Sequence, residues 1–280
     1  MPTRVAFLGP EGTYGEQAAR ALVCLEQISQ PELVACRGIR AVVNHLVSGR
    51  CEAAVLPVEN SVEGGVTTSH DALWSNAELT ISRAVVMPIR HALLSSGSLS
   101  NITEVLSHPQ ALAQCSEWLA KHLPDALQLP TSSTAEAARL VVGSRFRAAI
   151  AGRSAAREFA LQELGFPIND VAGNCTRFLL MQRGAMRSTG DLASFAFSLH
   201  RNAPGALVDA LSAIAQFGLN MSRIESRPSK RELGEYVFFV DIELSDGSTE
   251  VLDLLLQSLK PLCEHLVCFG AYPSSESSAE

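Results

Sequence analysis

Short apolar runs alternate with helically spaced ones through the first two-thirds of the chain, and the rhythm changes near residue 190. Arg4 to Leu8 reads as a strand, Glu16 to Leu25 as a helix and Leu33 to Cys36 as a strand. Ile39 to Ser48 is a second helix, followed by a buried strand from Ala53 to Pro57. The long apolar stretch Leu79 to Leu94 is interrupted by Pro88, which suits a chain crossing between lobes. Val105 to Ser107, a helix over Gln110 to Leu123, Leu127 to Pro130, a helix over Ala135 to Val142 and Ala148 to Ala151 repeat the strand–helix logic. A strand at Leu179 to Gln182 follows. The class is α/β, with strands so apolar that both sheet faces must be covered.

Arg183 to Gly190 is a polar, Gly-containing linker. Beyond it come a strand (Leu192 to Leu199), a helix (Pro204 to Phe217) and two strands (Leu219 to Ser226, Tyr236 to Leu244). A helix (Glu250 to Leu262) and a last strand (Leu266 to Phe269) complete the order. This βαββαβ sequence in roughly 80 residues is the ferredoxin-like arrangement. The expected organisation is a two-lobed domain over 1–184 (second lobe about 80–160), a ferredoxin-like domain over 191–271, and a disordered Ser- and Glu-rich tail over 272–280.

Apolar residues make up 47% of the 280 positions and charged residues 18%, enough for sizeable cores and too apolar for wholesale disorder. A net charge of −7 argues against a nucleic-acid binder. No apolar run approaches the ~18 residues of a membrane span. The N-terminus reads as a first strand rather than a leader, and the protein as cytoplasmic. The seven cysteines are scattered without C-x-x-C spacing and the seven histidines form no ligand motif, so neither a disulfide framework nor a metal is expected.

Candidate chemistry clusters at strand ends. Gly9-Pro10-Glu11-Gly12-Thr13 precedes the first helix, where glycines turn the backbone and the helix N-terminus favours anions. Asn60 and Ser61 follow the buried strand, where α/β sheets bind ligands; a helix cap by Asn60 or Ser61, completed by Glu63, is the structural alternative, and the two roles can coexist. Ser107-His108-Pro109-Gln110 and Thr131-Ser132-Ser133-Thr134 occupy equivalent places in the second lobe, the latter with at least one capping hydroxyl. Gly173-Asn174-Cys175-Thr176-Arg177-Phe178 places a hydroxyl, a cation and a ring in succession. Strand alternation sends Thr176 and Phe178 to one side and Arg177 to the other, whereas a turn would let all three rim one cleft. No His and Asp are placed to activate a Ser as in a hydrolase triad.

In order and spacing, these segments resemble the signatures of the prephenate dehydratase family: Gly9 to Thr13, Pro57 to Val66, Ser107 to Leu112, Thr131 to Ala138 and Asn174 to Phe178. The last region resembles the family's ACT regulatory domain through Pro204-Gly205-Ala206-Leu207 and Glu225-Ser226-Arg227-Pro228. The resemblance runs from about Arg4 to Phe269. It implies a periplasmic-binding-protein-like two-lobed fold and conversion of prephenate to phenylpyruvate, carbon dioxide and water, with no cofactor. It also implies catalytic roles for Thr176, Ser107 and His108, and substrate contacts from Thr13, Asn60, Ser61, Gln110, Thr131, Ser132, Arg177 and Phe178. One departure stands out: the family's G-P-x-G-T-[FY]-S has Gly15 where Ser is usual, so Thr13 or backbone N–H groups must serve instead.

Hydroxide is a poor leaving group, so the main task is to donate a hydrogen bond or proton to the departing oxygen, here from Thr176. The ring carboxylate loses its charge in the reaction, so a cation on it would favour the ground state. Arg177 or helix N–H groups are therefore expected to anchor the pyruvyl carboxylate, with the ring carboxylate against apolar surface near Phe178. The resemblance further implies phenylalanine as an effector at Asn202, Pro204, Gly205, Ala206, Leu207, Asn220, Glu225, Ser226 and Arg227, in a dimer or tetramer formed through ACT domains. A structural salt bridge and turn explain the Glu225–Pro228 motif equally well. No mutase-like helical segment precedes Arg4, which reads as a monofunctional enzyme. Arogenate dehydratase and a non-catalytic small-molecule sensor are the alternatives, since fold alone separates neither.

Overall fold

The computed structural model describes residues 2–187, 189–244 and 249–277. In the first lobe, β1 (Thr3–Leu8), α1 (Tyr14–Leu25), β2 (Pro31–Cys36), α2 (Ile39–Val47) and β3 (Ala53–Asn60) form a parallel β2–β1–β3 core. A two-residue β4 (Gly64–Gly65), α3 (Thr67–Trp74) and β5 (Leu79–Pro88) follow. Pro88 ends β5, and the chain crosses at Ile89–Arg90 into the second lobe. There β6 (His91–Ser95), β7 (Glu104–Ser107), α4 (Pro109–Ala113), α5 (Ser116–His122), β8 (Leu127–Pro130), α6 (Thr134–Leu140), β9 (Arg147–Gly152), α7 (Ser154–Glu158) and β10 (Gln162–Gly165) build a sheet ordered β10–β6–β9–β7–β8. The chain returns as β11 (Cys175–Arg183), antiparallel between β5 and β3. Because β5 pairs with β11 in the first sheet, the second lobe begins at His91 rather than near residue 80.

The expected single helix Gln110–Leu123 is two helices. Asp170, on the returning crossover, accepts hydrogen bonds from the backbone N–H of Glu117 (2.9 Å) and Trp118 (3.0 Å), supplying α5 with its own N-terminal partner. The Asp170 N–H donates to the Gln114 carbonyl at 2.8 Å and fixes the break between the helices. The consequence is local: Gln114 ends α4 and points its amide toward the other lobe.

The last domain runs β12 (Leu192–Leu199), α8 (Ala206–Gln216), β13 (Met221–Pro228), β14 (Tyr236–Glu243), α9 (Glu250–Leu259) and β15 (Cys263–Tyr272), with antiparallel order β13–β14–β12–β15. This is the ferredoxin-like arrangement expected. Alternation on β12 sends Phe195 and Phe197 under α8 and α9 with Ile214, Leu252 and Leu255. Its other face, with Ala196, Phe239, Phe269 and Tyr272, packs on Leu73, Val58 and Leu179 of the first lobe. One core therefore joins the ferredoxin-like sheet to the first lobe.

The tail differs from expectation. Ser274–Glu276 forms β16, parallel to β5, because the edge of β5 still has free backbone groups to pair and Asp191 accepts from the Ser274 N–H at 3.0 Å. Residues 278–280 of the expected disordered segment lie outside the described residues. Among the described residues no helix is long and apolar enough to cross a membrane.

Candidate active site

A cleft of about 1240 Å³ separates the two lobes, lined by Thr13, Asn60, His108, Gln110, Ser132, Thr176 and Phe178 among the residues expected from sequence. At its floor, Thr176 pairs with Asn60 across β11 and β3. A register shift beside Arg177 inserts an extra residue, Val58, in β3. Asn60 Oδ1 accepts the backbone N–H groups of Val62 (2.9 Å) and Glu63 (3.0 Å). A backbone N–H only donates, so the amide orientation is fixed and Nδ2 must face β11. There it donates to Thr176 Oγ1 at 2.9 Å, to Asn174 Oδ1 at 2.8 Å and to the Cys175 carbonyl at 3.1 Å. Thr176 Oγ1 thus serves as an acceptor toward Asn60, and no described side chain or carbonyl accepts its proton. A hydroxyl held as an acceptor on one side has its O–H free for the cleft.

The polar chain continues across the lobes. Asn174 Nδ2 donates to Gln114 Oε1 at 2.9 Å, and Gln114 Nε2 donates to Glu63 Oε1 at 3.3 Å. Gln114 Oε1 also meets His91 Nε2 at 3.2 Å. Gln114, His91 and Tyr14 all line the cleft, and sequence reasoning passed over all three. Tyr14 stands in the first motif and His91 follows the crossover proline, but only burial of their polar atoms distinguishes them. Tyr14 donates to the Arg90 carbonyl at 2.6 Å, and its ring meets His91 edge-on at 5.9 Å.

Several expected contacts are turned away. Ser107, fully buried, donates to the Ile150 carbonyl at 2.6 Å and is absent from the cleft wall. Ser61 accepts from the Cys175 N–H at 3.0 Å, and Thr131 donates to the Ser133 carbonyl at 2.9 Å; both hydroxyls hold loops together. Thr13 lines the cleft, yet its hydroxyl donates to the Pro10 carbonyl at 2.8 Å and accepts from the Glu16 N–H. His108 caps α4 by accepting from the Gln110 N–H at 3.3 Å. Ser133, rather than Ser132, caps α6, and Ser132 is bound to Glu136.

Arg177 corrects the expectation most sharply. Strand alternation places it on the face opposite Thr176 and Phe178, where its guanidinium meets Asp241 of β14 at 2.5 Å and Glu59 at 2.9 Å. It does not reach the cleft, so it cannot anchor a substrate carboxylate there. Asp241 is 5% exposed and also contacts Arg223 Nε at 3.2 Å and accepts from Ser194 at 2.5 Å. Burial alone would raise its pKa, but Arg177 and Arg223 outweigh it and hold the carboxyl below the usual range. Arg223 also donates to His70 Nε2 at 2.5 Å, and burial followed by that cation lowers His70 to about 3. His70 is therefore neutral, and its 3.5 Å approach to Glu225 is not an ion pair.

The same geometry divides the expected effector residues. Pro204 and Gly205 form the turn into α8, with Gly205 at φ +87°, and Ala206 and Leu207 begin the helix. Nearby, Asn202 donates to the Gly234 carbonyl at 3.0 Å. The Asn220 carbonyl accepts from the Glu243 N–H. Glu225 and Arg227 instead face the catalytic lobe, toward His70 and, at 3.7 Å, Asp71, while Ser226 points out to solvent on the other side of β13. The nine residues do not converge on one pocket within a single chain, because alternation along β13 splits its motif between two faces.

Two α/β lobes clasping a hydroxyl–amide cleft, with a ferredoxin-like module seated on the first lobe, define the class as a two-lobed small-molecule-binding protein with an attached ferredoxin-like domain. The chain belongs to the prephenate dehydratase family: the family model described as prephenate dehydratase matches residues 5–186, and the ACT domain model matches residues 196–259. It is 36% identical to the bifunctional chorismate mutase/prephenate dehydratase of Aquifex aeolicus, over 97% of this chain and 74% of that protein. It is 34% identical to the prephenate dehydratase of Lactococcus lactis, over 96% of this chain and 97% of that one. Among solved structures, the prephenate dehydratase of Arthrobacter aurescens in complex with L-Phe is 34% identical. It superposes with a TM-score of 0.86 over 97% of this chain and 90% of its own.

Proposed function

We propose that this chain catalyses the decarboxylating dehydration of prephenate to phenylpyruvate in phenylalanine biosynthesis, in the cytoplasm and without a cofactor. The observation that carries the reading is the Thr176 hydroxyl, held as an acceptor by Asn60 and left with a free proton at the cleft floor. The ring C–COO⁻ bond breaks, its electron pair aromatises the ring, and the C–O bond to the hydroxyl breaks. The prephenate dianion takes up one proton, so the products are the phenylpyruvate anion, carbon dioxide and water. Thr176 donates its hydrogen bond to the departing oxygen, and Asn60 Nδ2 stabilises the Oγ1 that gains negative character.

With Arg177 turned away, the guanidinium groups on the cleft wall among the described residues are those of Arg37 after β2 and Arg139 on α6. Either supports anchoring of the pyruvyl carboxylate, which keeps its charge through the reaction. Phe178 and Pro57 supply apolar surface for the carboxylate that leaves. Regulation by phenylalanine, through ACT domains paired in a dimer or tetramer, is supported by the ACT match and by the L-Phe complex of the Arthrobacter relative. The test is a product assay with chelator present, offering prephenate and arogenate separately, followed by phenylalanine titration and a light-scattering mass. Phenylpyruvate formed from prephenate supports the reading. Turnover of arogenate alone makes the chain an arogenate dehydratase, and binding without turnover makes it a sensor.

A further inference from the structure

His91 is 3% exposed and stands at the point where the chain enters the second lobe. Its backbone is pinned by the returning crossover: the His91 N–H donates to Asn169 Oδ1 at 2.7 Å, and its carbonyl accepts from the Ile168 N–H at 2.9 Å. The side chain has no spare freedom either, with the Tyr14 ring against it and Nε2 on Gln114. Its Nδ1 is buried without a partner. A buried unpaired nitrogen is costly, and an apolar residue of similar size would avoid that cost. The site keeps an imidazole, and the hydrogen-bond chain gives a reason.

Donor and acceptor directions along that chain are set by groups with no choice. The Val62 and Glu63 N–H groups fix Asn60 Oδ1, so Asn60 Nδ2 donates to Asn174 Oδ1 and Asn174 Nδ2 donates to Gln114 Oε1. From the other end, the Glu63 carboxylate only accepts, so Gln114 Nε2 faces it. Gln114 Oε1 is an acceptor in both directions, and His91 Nε2 must carry the proton. Gln114 Nε2 then has a second N–H with no acceptor among the described residues, on a residue that lines the cleft. A flipped amide would present its carbonyl oxygen to a dianionic substrate instead.

Resting on the reaction proposed above, we infer that His91 is a positioning residue for it. As the Nε2–H tautomer it is the second donor to Gln114 Oε1, and together with Asn174 it holds the amide rigidly so that the free N–H of Gln114 stays aimed at substrate oxygen. Nδ1 is unpaired in either tautomer, and only the Nε2–H form can donate to Gln114 Oε1. Burial lowers the His91 pKa to about 4, so the ring keeps this neutral form across the working pH range.

The experiment is a double-mutant cycle with prephenate, using His91→Leu, Gln114→Ala and both together, with His91→Gln as the conservative replacement. Turnover by the wild-type protein is measured first, and its absence would sink the dehydratase reading rather than the role of His91. With wild-type turnover established, His91→Leu should lower kcat about 10- to 100-fold with KM changed little, as expected for a lost transition-state hydrogen bond. His91→Gln, whose amide can donate from the same place, should recover most of that loss. In the Gln114→Ala background His91→Leu should cost less than threefold, since it acts through the missing amide. A full-sized loss in that background, or His91→Leu within threefold of wild type, overturns the inference. If His91→Leu does not fold, nitrogen-15 NMR of wild-type histidines decides: an Nε2–H, Nδ1-lone-pair ring at His91 supports it, and an Nδ1–H ring overturns it.

Discussion

Arg177 and Asp241 meet at 2.5 Å across the boundary between the catalytic lobe and the ACT domain, on the reverse side of the strand that carries Thr176. The strand therefore has a cleft face and a regulatory face, one residue apart. Asp241 is shared with Arg223, so the pair belongs to a buried network in which removing one partner strands the others.

Asp241→Ala should destabilise the protein by about 3–5 kcal/mol, because two guanidinium groups lose their common counter-charge in a buried setting. Arg177→Lys should lower the melting temperature while leaving KM for prephenate within about twofold, since a lysine cannot repeat the contacts to Asp241 and Glu59. Thermal unfolding and steady-state kinetics on the two variants check this. A tenfold rise in KM for Arg177→Lys would return the residue to the substrate.

Thr176→Ala should reduce kcat by roughly 10²- to 10⁴-fold with KM little changed, and Thr176→Ser should stay within about tenfold of wild type. Initial rates over a range of prephenate concentrations separate the two constants. Near wild-type kcat in the alanine variant would remove the donor from the mechanism.

Arg37→Ala or Arg139→Ala should raise KM about tenfold with kcat preserved, the pattern of lost uniform binding. The carboxylate anchor is absent from the cleft if both variants, and the pair combined, bind prephenate as wild type does.

Gly15→Ser should not improve the enzyme. A Cβ at this position would stand 2.4 Å from the Leu8 carbonyl oxygen, so α1 would have to move off β1, and the cost is about 1–3 kcal/mol. Melting temperature and turnover are both expected to fall. A tenfold gain in turnover would show that the helix entrance lacks a hydroxyl it needs.

Acid should weaken the fold below pH ~6.5 through two buried neutral histidines. Burial takes His91 to about 4, and burial with Arg223 takes His70 to about 3. Unfolded, both bind a proton near pH ~6.5, so between that value and the folded pKa values the unfolded state holds more protons. Their stabilisation is complete above pH ~6.5 and declines by up to about 1.4 kcal/mol per pH unit for each histidine as pH falls. Urea midpoints from pH 7.5 to 4.5 on wild type and His70→Gln test this, the variant's slope being shallower by one proton. Parallel slopes would mean that His70 is protonated in the folded protein.

The apolar periodicities carried the architecture: two α/β lobes, a crossover at Pro88, and the βαββαβ order of the last domain were readable because side-chain period and turn chemistry are local properties. Motif order along the chain identified the family for the same reason. Alternation on β11 even stated that Arg177 opposes Thr176, but a strand pattern does not say what lies behind it. That was decided by the ACT sheet, whose Asp241 arrives from 64 residues away to neutralise the guanidinium.

Tertiary contacts also decided which hydroxyls are available. Ser107, Ser61 and Thr131 sit at strand ends as a binding residue would, but Ser107 and Thr131 donate to nearby carbonyls, and Ser61, which accepts the Cys175 N–H, lies off the cleft wall. His91 and Gln114 carry no local signal, and they matter only because the break between α4 and α5 brings Gln114 to Asn174 and the interlobe crossing brings His91 to Gln114. Residue type and spacing specify which elements form. Hydrogen-bond partners separated by up to 116 positions specify which polar atoms remain free for chemistry.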